Sequence, residues 1–182
     1  MTTRAKPKEP PAPQRPAGLI VSSAHLAAGA MPALSEFEFG LILLSHAFER
    51  WMTRCMRAAG YGDLGALDVL VLHTVNHRDR AKRLADICLV LGVEDTYTVA
   101  YSVKKLEKLK LVKSGRQGKE KTVAITALGE AACARYREHR ETVLVATVKS
   151  LGFDEKTLSA VAAQMRALSG QYDQAARAAA SL

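Results

Sequence analysis

The sequence predicts a mainly α fold with a small β-hairpin wing: a winged helix-turn-helix whose N- and C-terminal helices form a dimerisation layer. Three observations carry this. Residues 82–126 read as a short amphipathic helix, a tight turn at Gly92-Val93, a longer helix and two short β-prone runs joined by a basic link. Apolar residues recur at helical spacing both before and after that stretch. The outermost helices carry apolar stripes with no evident partner inside a small domain.

Residues 1–33 hold all six prolines with scattered basic residues (Arg4, Lys6, Lys8 and Arg15 against Glu9). Such a segment buries too little apolar surface to offset the entropy of ordering, so a disordered basic, Pro-rich tail is expected. It serves either as a solvated tail or as a nonspecific arm on a polyanion. Ser35-Glu36-Phe37-Glu38 has capping-box spacing, with Leu34 and Phe39 placed as a hydrophobic staple. The helix it starts lines up Leu41, Leu44, Phe48, Trp51, Cys55 and Ala59, and Gly60-Tyr61-Gly62 ends it. Asp63 can cap a second helix, Leu64–Asn76, apolar on most sides and therefore buried.

The helix-turn-helix follows. Its first helix is Lys82–Leu91, with Leu84, Ala85, Ile87, Cys88 and Leu91 on the buried face, and Gly92 stands where the turn needs a left-handed residue. The second, Glu94–Leu109, buries Val99, Val103 and Leu106. The hairpin strands are Leu111–Ser114 and Lys121–Thr126, linked by residues 115–120. Thr126 caps a long helix to about Ser150. Asp154 caps a last helix whose Leu158, Val161, Met165, Leu168, Tyr172, Ala175 and Ala179 keep a three-four repeat. That seam either folds back on its own domain or pairs with a second copy. The expected organisation is a tail over 1–33, a winged helix-turn-helix domain with its N-terminal helix over 34–151, and a dimerisation helix over 152–182.

Composition bounds the function. A chain of 182 residues buries one good core. The formal net charge is +8, which favours a polyanionic partner, nucleic acid or an anionic surface. From Arg78 to Lys121 there are twelve Lys/Arg against six Asp/Glu, so this region carries +6 of that charge. No apolar run reaches membrane-spanning length, and no signal core follows the basic N-terminus, so a cytoplasmic protein is expected. Cys55, Cys88 and Cys133 are odd in number and scattered, which argues against a disulfide framework or zinc site. No phosphate-binding glycine loop, HExxH or nucleophile elbow occurs, and the five histidines lack ligand spacing. Neither an enzyme nor a cofactor or metal is expected.

The binding chemistry lies in the second helix and the hairpin. With the recognition helix at about 95–109 in the major groove, Thr96, Tyr97, Thr98 and Tyr101 reach base edges or phosphates, and Lys104 and Lys105 meet the backbone one turn on. On the wing at about 111–126, Lys113, Arg116, Gln117, Lys119 and Lys121 are the contacts to the backbone or minor groove, opposed only by Glu120. Glu94-Asp95 suits the helix dipole but repels phosphate. The alternative is that the same surface binds protein without specific DNA contact.

Taken in order, Leu67–Leu72, Leu84-Ala85-Asp86-Ile87, Thr98-Val99, Leu106-Glu107-Lys108 with Leu111-Val112, and Ile125-Thr126-Ala127-Leu128-Gly129 resemble the winged-helix domain of the MarR family of bacterial transcription regulators. The likeness spans roughly residues 36–150. It implies a homodimer on pseudo-palindromic double-stranded DNA, released by a small-molecule effector or an oxidant. Two positions depart from the family pattern. Lys110 stands where the family usually has glycine before the wing, and the wing lacks the aspartate of the usual Asp-Arg pair, which leaves Arg116 as the groove candidate.

Overall fold

The structure, a computed structural model, describes residues 18–78 and 80–182. Of the expected disordered tail, residues 1–17 lie outside the described residues; residues 18–31 hold a single 3-10 turn, Leu26–Ala28. The chain divides into two compact units, one ending at Glu49 and one running from Arg50 to Leu182, with helix α1 (Pro32–Ala58) crossing the division.

In the first unit, α1 starts at Pro32, three residues before the expected Ser35 cap. Proline is preorganised for a first helical position, where its missing N–H goes unused. Ser35 is therefore inside the helix and buried, and the neighbouring Glu36 carboxylate accepts the Ile20 N–H at 3.3 Å. Further along, Leu41, Ile42, Leu43, Leu44 and Phe48 are exposed.

The second unit is built on α2 (Ala66–Asn76), which is buried at Val69, Val71, Leu72 and Val75, as its all-round apolar sequence requires. Its N-cap is Gly65, not Asp63; the Asp68 carboxylate, one turn in, accepts the Gly65 N–H at 2.9 Å. Against α2 lie α3 (Leu84–Leu91), α4 (Thr96–Lys108) and α5 (Ala127–His139). The core joins Met56 of α1, Ile87 of α3, Val99, Val103 and Leu106 of α4, Leu111, and Val123 of the sheet, all fully buried. Gly92 closes α3 at φ 64°, the expected left-handed turn.

The expected helix at Lys82–Leu91 loses its first two residues to a strand. Lys82-Arg83 form β1, which pairs with β3 (Glu120–Ile125), and β3 pairs in turn with β2 (Val112–Gln117), giving the antiparallel order β1-β3-β2. Two residues carry no strand period of their own, so only the long-range register Lys82↔Val123 and Arg83↔Thr122 makes them a strand. The first wing strand also runs further than expected, to Gln117, the second begins one residue earlier at Glu120, and the link is shorter. Gln117 pairs with Glu120, which leaves Gly118-Lys119 as a two-residue turn with Gly118 at φ 62°, the backbone that a glycine-first hairpin turn needs.

Beyond the wing, Thr126 caps α5 as expected: its hydroxyl oxygen accepts the Gly129 N–H at 3.1 Å. The expected long helix to Ser150 forms as α5, a wide π-helical stretch at Arg140–Val145, and α6 (Ala146–Ser150). Helix α7 (Glu155–Ala179) follows, capped by Asp154, whose carboxylate accepts the Thr157 N–H at 2.6 Å. That hydrogen bond holds the Asp154 carboxyl below its ordinary range. Along α7, Leu158, Val161 and Tyr172 are exposed. Among the described residues no helix is long and apolar enough to cross a membrane.

Candidate nucleic-acid interface

Helix α4 divides its residues by a three-four rule. Val99, Val103 and Leu106 face the core, and the opposite stripe is Tyr97, Tyr101, Lys104 and Lys108, all exposed. Tyr97 is 84% and Tyr101 70% exposed, so neither ring packs inward, and an i, i+4 pair of bare rings is set beside two lysines. Thr96 and Thr98 are exposed at the first turn. The Thr98 hydroxyl donates to the Asp95 carbonyl at 2.7 Å, and the Asp95 carboxylate accepts the Tyr97 N–H at 2.9 Å. The acidic start of α4 thus acts as its cap. Lys108 belongs to the exposed stripe, although its sequence neighbourhood reads as a solvated face; spacing from Tyr97, Tyr101 and Lys104 is the signal that places it there.

Lys105 is different. Its ammonium donates to Asp68 Oδ2 at 2.7 Å, while the Ser102 hydroxyl donates to Asp68 Oδ1 at the same distance. Burial pushes the Asp68 carboxyl upward, but the hydrogen bonds from Lys105, Ser102 and the Gly65 N–H outweigh it and hold the group below its ordinary range. Lys105 ties α4 to α2, apart from the tyrosine-lysine stripe.

The sheet register sorts the wing. Arg116 and Lys121 are direct cross-strand partners and so share one face of the hairpin, with Ser114 and Val123 further down it. With Lys119 at the turn they line a recess of about 470 Å³. Lys113 and Gln117 pair with Ala124 and Glu120 on the other face. The structure thus brings Arg116, Lys119 and Lys121 together and separates Lys113 and Gln117 from them. Two like charges directly opposite are unfavourable without a counter-ion. Glu120 does not supply it: Arg83 donates to Glu120 at 3.3 Å and to Asp86 at 2.9 Å, and these two carboxylates raise the affinity of the Arg83 guanidinium for its proton. At the base of the wing, the Glu107 carboxylate accepts the Ser114 N–H at 2.8 Å. The hairpin is braced from α3 through Arg83 and from α4 through Glu107.

The cysteines take no part in this surface. All three are buried. Burial, with the Glu130 charge, pushes the Cys133 thiol up to about 11, and burial also raises Cys55. Protonated buried thiols are poor nucleophiles.

A two-strand wing braced against a helix-turn-helix, with the helix outer stripe and one wing face left polar and cationic, is the arrangement of a winged helix, and residues 64–129 match the winged helix DNA-binding domain family. Over roughly three quarters of its length the chain has the fold of solved MarR family regulators. A MarR family regulator from Neisseria meningitidis superposes with a TM-score of 0.60 at 18% identity, over 79% of this chain and 95% of that one. One from Silicibacter pomeroyi gives 0.59 at 15% identity, over 81% and 93%. CouR from Rhodococcus jostii, solved bound to p-coumaroyl-CoA, gives 0.59 at 15% identity, over 72% and 90%. No curated protein matches the sequence.

Proposed function

We propose that this chain is a sequence-specific transcriptional regulator of the MarR type, binding double-stranded DNA as a homodimer. The observation that carries the reading is the face-to-face pair Arg116 and Lys121, joined by Lys119 and given no carboxylate among the described residues. A phosphate backbone supplies the missing negative charge. Helix α4 enters the major groove, with Thr96, Tyr97, Thr98 and Tyr101 at base edges and Lys104 and Lys108 on phosphates. The wing anchors the complex, Lys113 and Gln117 serving it from the second face. Lys105 leaves the DNA-binding set, because it is engaged with Asp68.

The exposed apolar residues of α1 and of α7 support dimerisation, each in its own unit: such runs on a monomer mark an interface. The organisation proposed is a tail to residue 33, the winged domain with its N-terminal helix to 151, and a dimerisation helix from 152, working in the cytoplasm. The p-coumaroyl-CoA complex of CouR supports an organic effector for this fold.

The test is selection of bound fragments from genomic DNA by the full chain at low salt, followed by affinity against salt. Enrichment of a pseudo-palindromic site, with affinity falling steeply as salt rises, is expected. Recovery of no site, together with capture of protein partners through the α4 and wing surface, would replace this reading with that of a protein-interaction module.

A further inference from the structure

From Glu94 to Val103 the chain holds no Arg, Lys, Asn or Gln. The exposed residues of the first two turns of α4 are Thr96, Tyr97, Thr98 and Tyr101, with Ala100 half-buried beside them. The first cation of the stripe, Lys104, comes about two turns beyond Tyr97. Base-edge chemistry divides along the same residue types. Guanine is read by Arg or Lys on its two acceptors, adenine by Asn or Gln, and thymine by apolar contact with its 5-methyl group. The leading half of α4 offers only the third kind.

Hydrogen bonds within the helix sharpen this bias. The Thr98 hydroxyl donates to the Asp95 carbonyl at 2.7 Å, which commits its proton to the backbone and leaves the methyl group for outside contacts. The Asp95 carboxylate is taken by the Tyr97 N–H at 2.9 Å, and Glu94 beside it is exposed. Carboxylates accept hydrogen bonds and donate none. Guanine shows the major groove only acceptors, so the acidic entry to α4 repels it. The exposed Tyr97 and Tyr101 lie on one side of the helix, four residues and so about 6 Å apart along its axis. Successive bases of a strand rise by about 3.4 Å, so the two rings reach positions two steps apart.

We propose that Tyr97 and Tyr101 are specificity-determining residues that read the 5-methyl groups of two thymines in each half-site by ring contact. This inference rests on the DNA-binding reading of α4 and names what that helix recognises. The wing cations add affinity without base choice, because phosphate contacts carry no sequence information.

The test begins with selection of bound duplexes from a random-sequence synthetic library by the full chain. Each thymine of the recovered site is then replaced by deoxyuridine, which keeps every hydrogen-bonding group and lacks only the methyl. At two positions per half-site, two steps apart, the replacement should weaken binding by about four-fold, the worth of one buried methyl group. Tyr97→Ala should abolish that sensitivity at one of the positions and Tyr101→Ala at the other, whereas Tyr97→Phe, which keeps the ring, should retain it. Both side chains are exposed, so the variants should melt with the parent chain. The readout is overturned, with DNA binding intact, if deoxyuridine binds as well as thymine throughout, if the sensitivity survives both alanine variants, or if Tyr97→Phe behaves as Tyr97→Ala. Recovery of no duplex would instead remove the DNA-binding reading, and this inference with it.

Discussion

Lys105 and Asp68 meet at 2.7 Å across the α4–α2 contact, with Ser102 closing on the other carboxylate oxygen. The Asp68 side chain is 7% exposed and that of Lys105 31%, so the pair is substantially withdrawn from water. Removing the lysine leaves a buried carboxylate with less compensation. Lys105→Met should lower unfolding free energy by about 2 kcal/mol in urea titrations. Lys104→Met, on the exposed stripe, should change stability by less than about 0.5 kcal/mol. A Lys105→Met protein of unchanged stability would contradict the structural role given to Lys105.

The pair also sets an acid response. Asp68 has a folded pKa below its ordinary 3.8, so the stability it provides is present above the unfolded value and lost as pH falls through the folded one. In Asp68→Asn, part of the loss of stability below about pH 4 should vanish when unfolding is followed from about pH 6 to about pH 2.5.

His73 adds a second response at higher pH. Its folded pKa is depressed from 6.5, so unfolding takes up a proton once pH drops below the unfolded value. Stability should fall between about pH 7 and about pH 5.5, and the fall should be smaller in His73→Gln. Identical pH profiles for the two proteins would show that His73 is not held neutral.

Lys110 sits at φ 60°, a left-handed backbone that costs a side-chain-bearing residue about 1 kcal/mol or more. Glycine relieves it but loses more entropy on folding. Lys110→Gly should therefore raise the urea midpoint by the equivalent of about 0.5 kcal/mol. The position is exposed, so removal of the side chain should leave packing intact.

Gly129 lets the start of α5 lie against the strand entry. A Cβ there would overlap the Leu111 carbonyl oxygen and stand 2.6 Å from Ile125 Cδ1. Thr126 secures the same approach, its N–H donating to Leu111 O at 3.1 Å and its hydroxyl to Lys110 O at 2.7 Å. Gly129→Ala should cost about 3 kcal/mol, read as a lowered melting temperature.

For the wing, every phosphate that a substitution leaves without its cation should reduce the slope of log affinity against log salt by about 0.9. Arg116→Ala, Lys119→Ala and Lys121→Ala combined should therefore flatten the slope by roughly two to three units. Tyr97→Ala should instead narrow the difference between selected and random DNA, with the slope nearly unchanged.

Element types were legible wherever period and punctuation agree: the all-round apolar α2, the Val99-Val103-Leu106 stripe, Gly92, Thr126 and Asp154. Their signals are local, because caps and helical faces are made by residues within a turn or two of one another. The wing's charge was legible too, as a count of lysines and arginines.

What the tertiary structure decided involves pairs distant in sequence. It made Lys82-Arg83 a strand through Val123 and Thr122, and it turned Lys105 toward Asp68. It also placed Arg116 opposite Lys121 while assigning Glu120 to Arg83. The residue types on α4 and the wing thus followed from sequence alone, but which of their cations are engaged by carboxylates did not. A lysine's partner is set by whichever carboxylate the fold brings within hydrogen-bond reach, and no sequence period encodes that pairing.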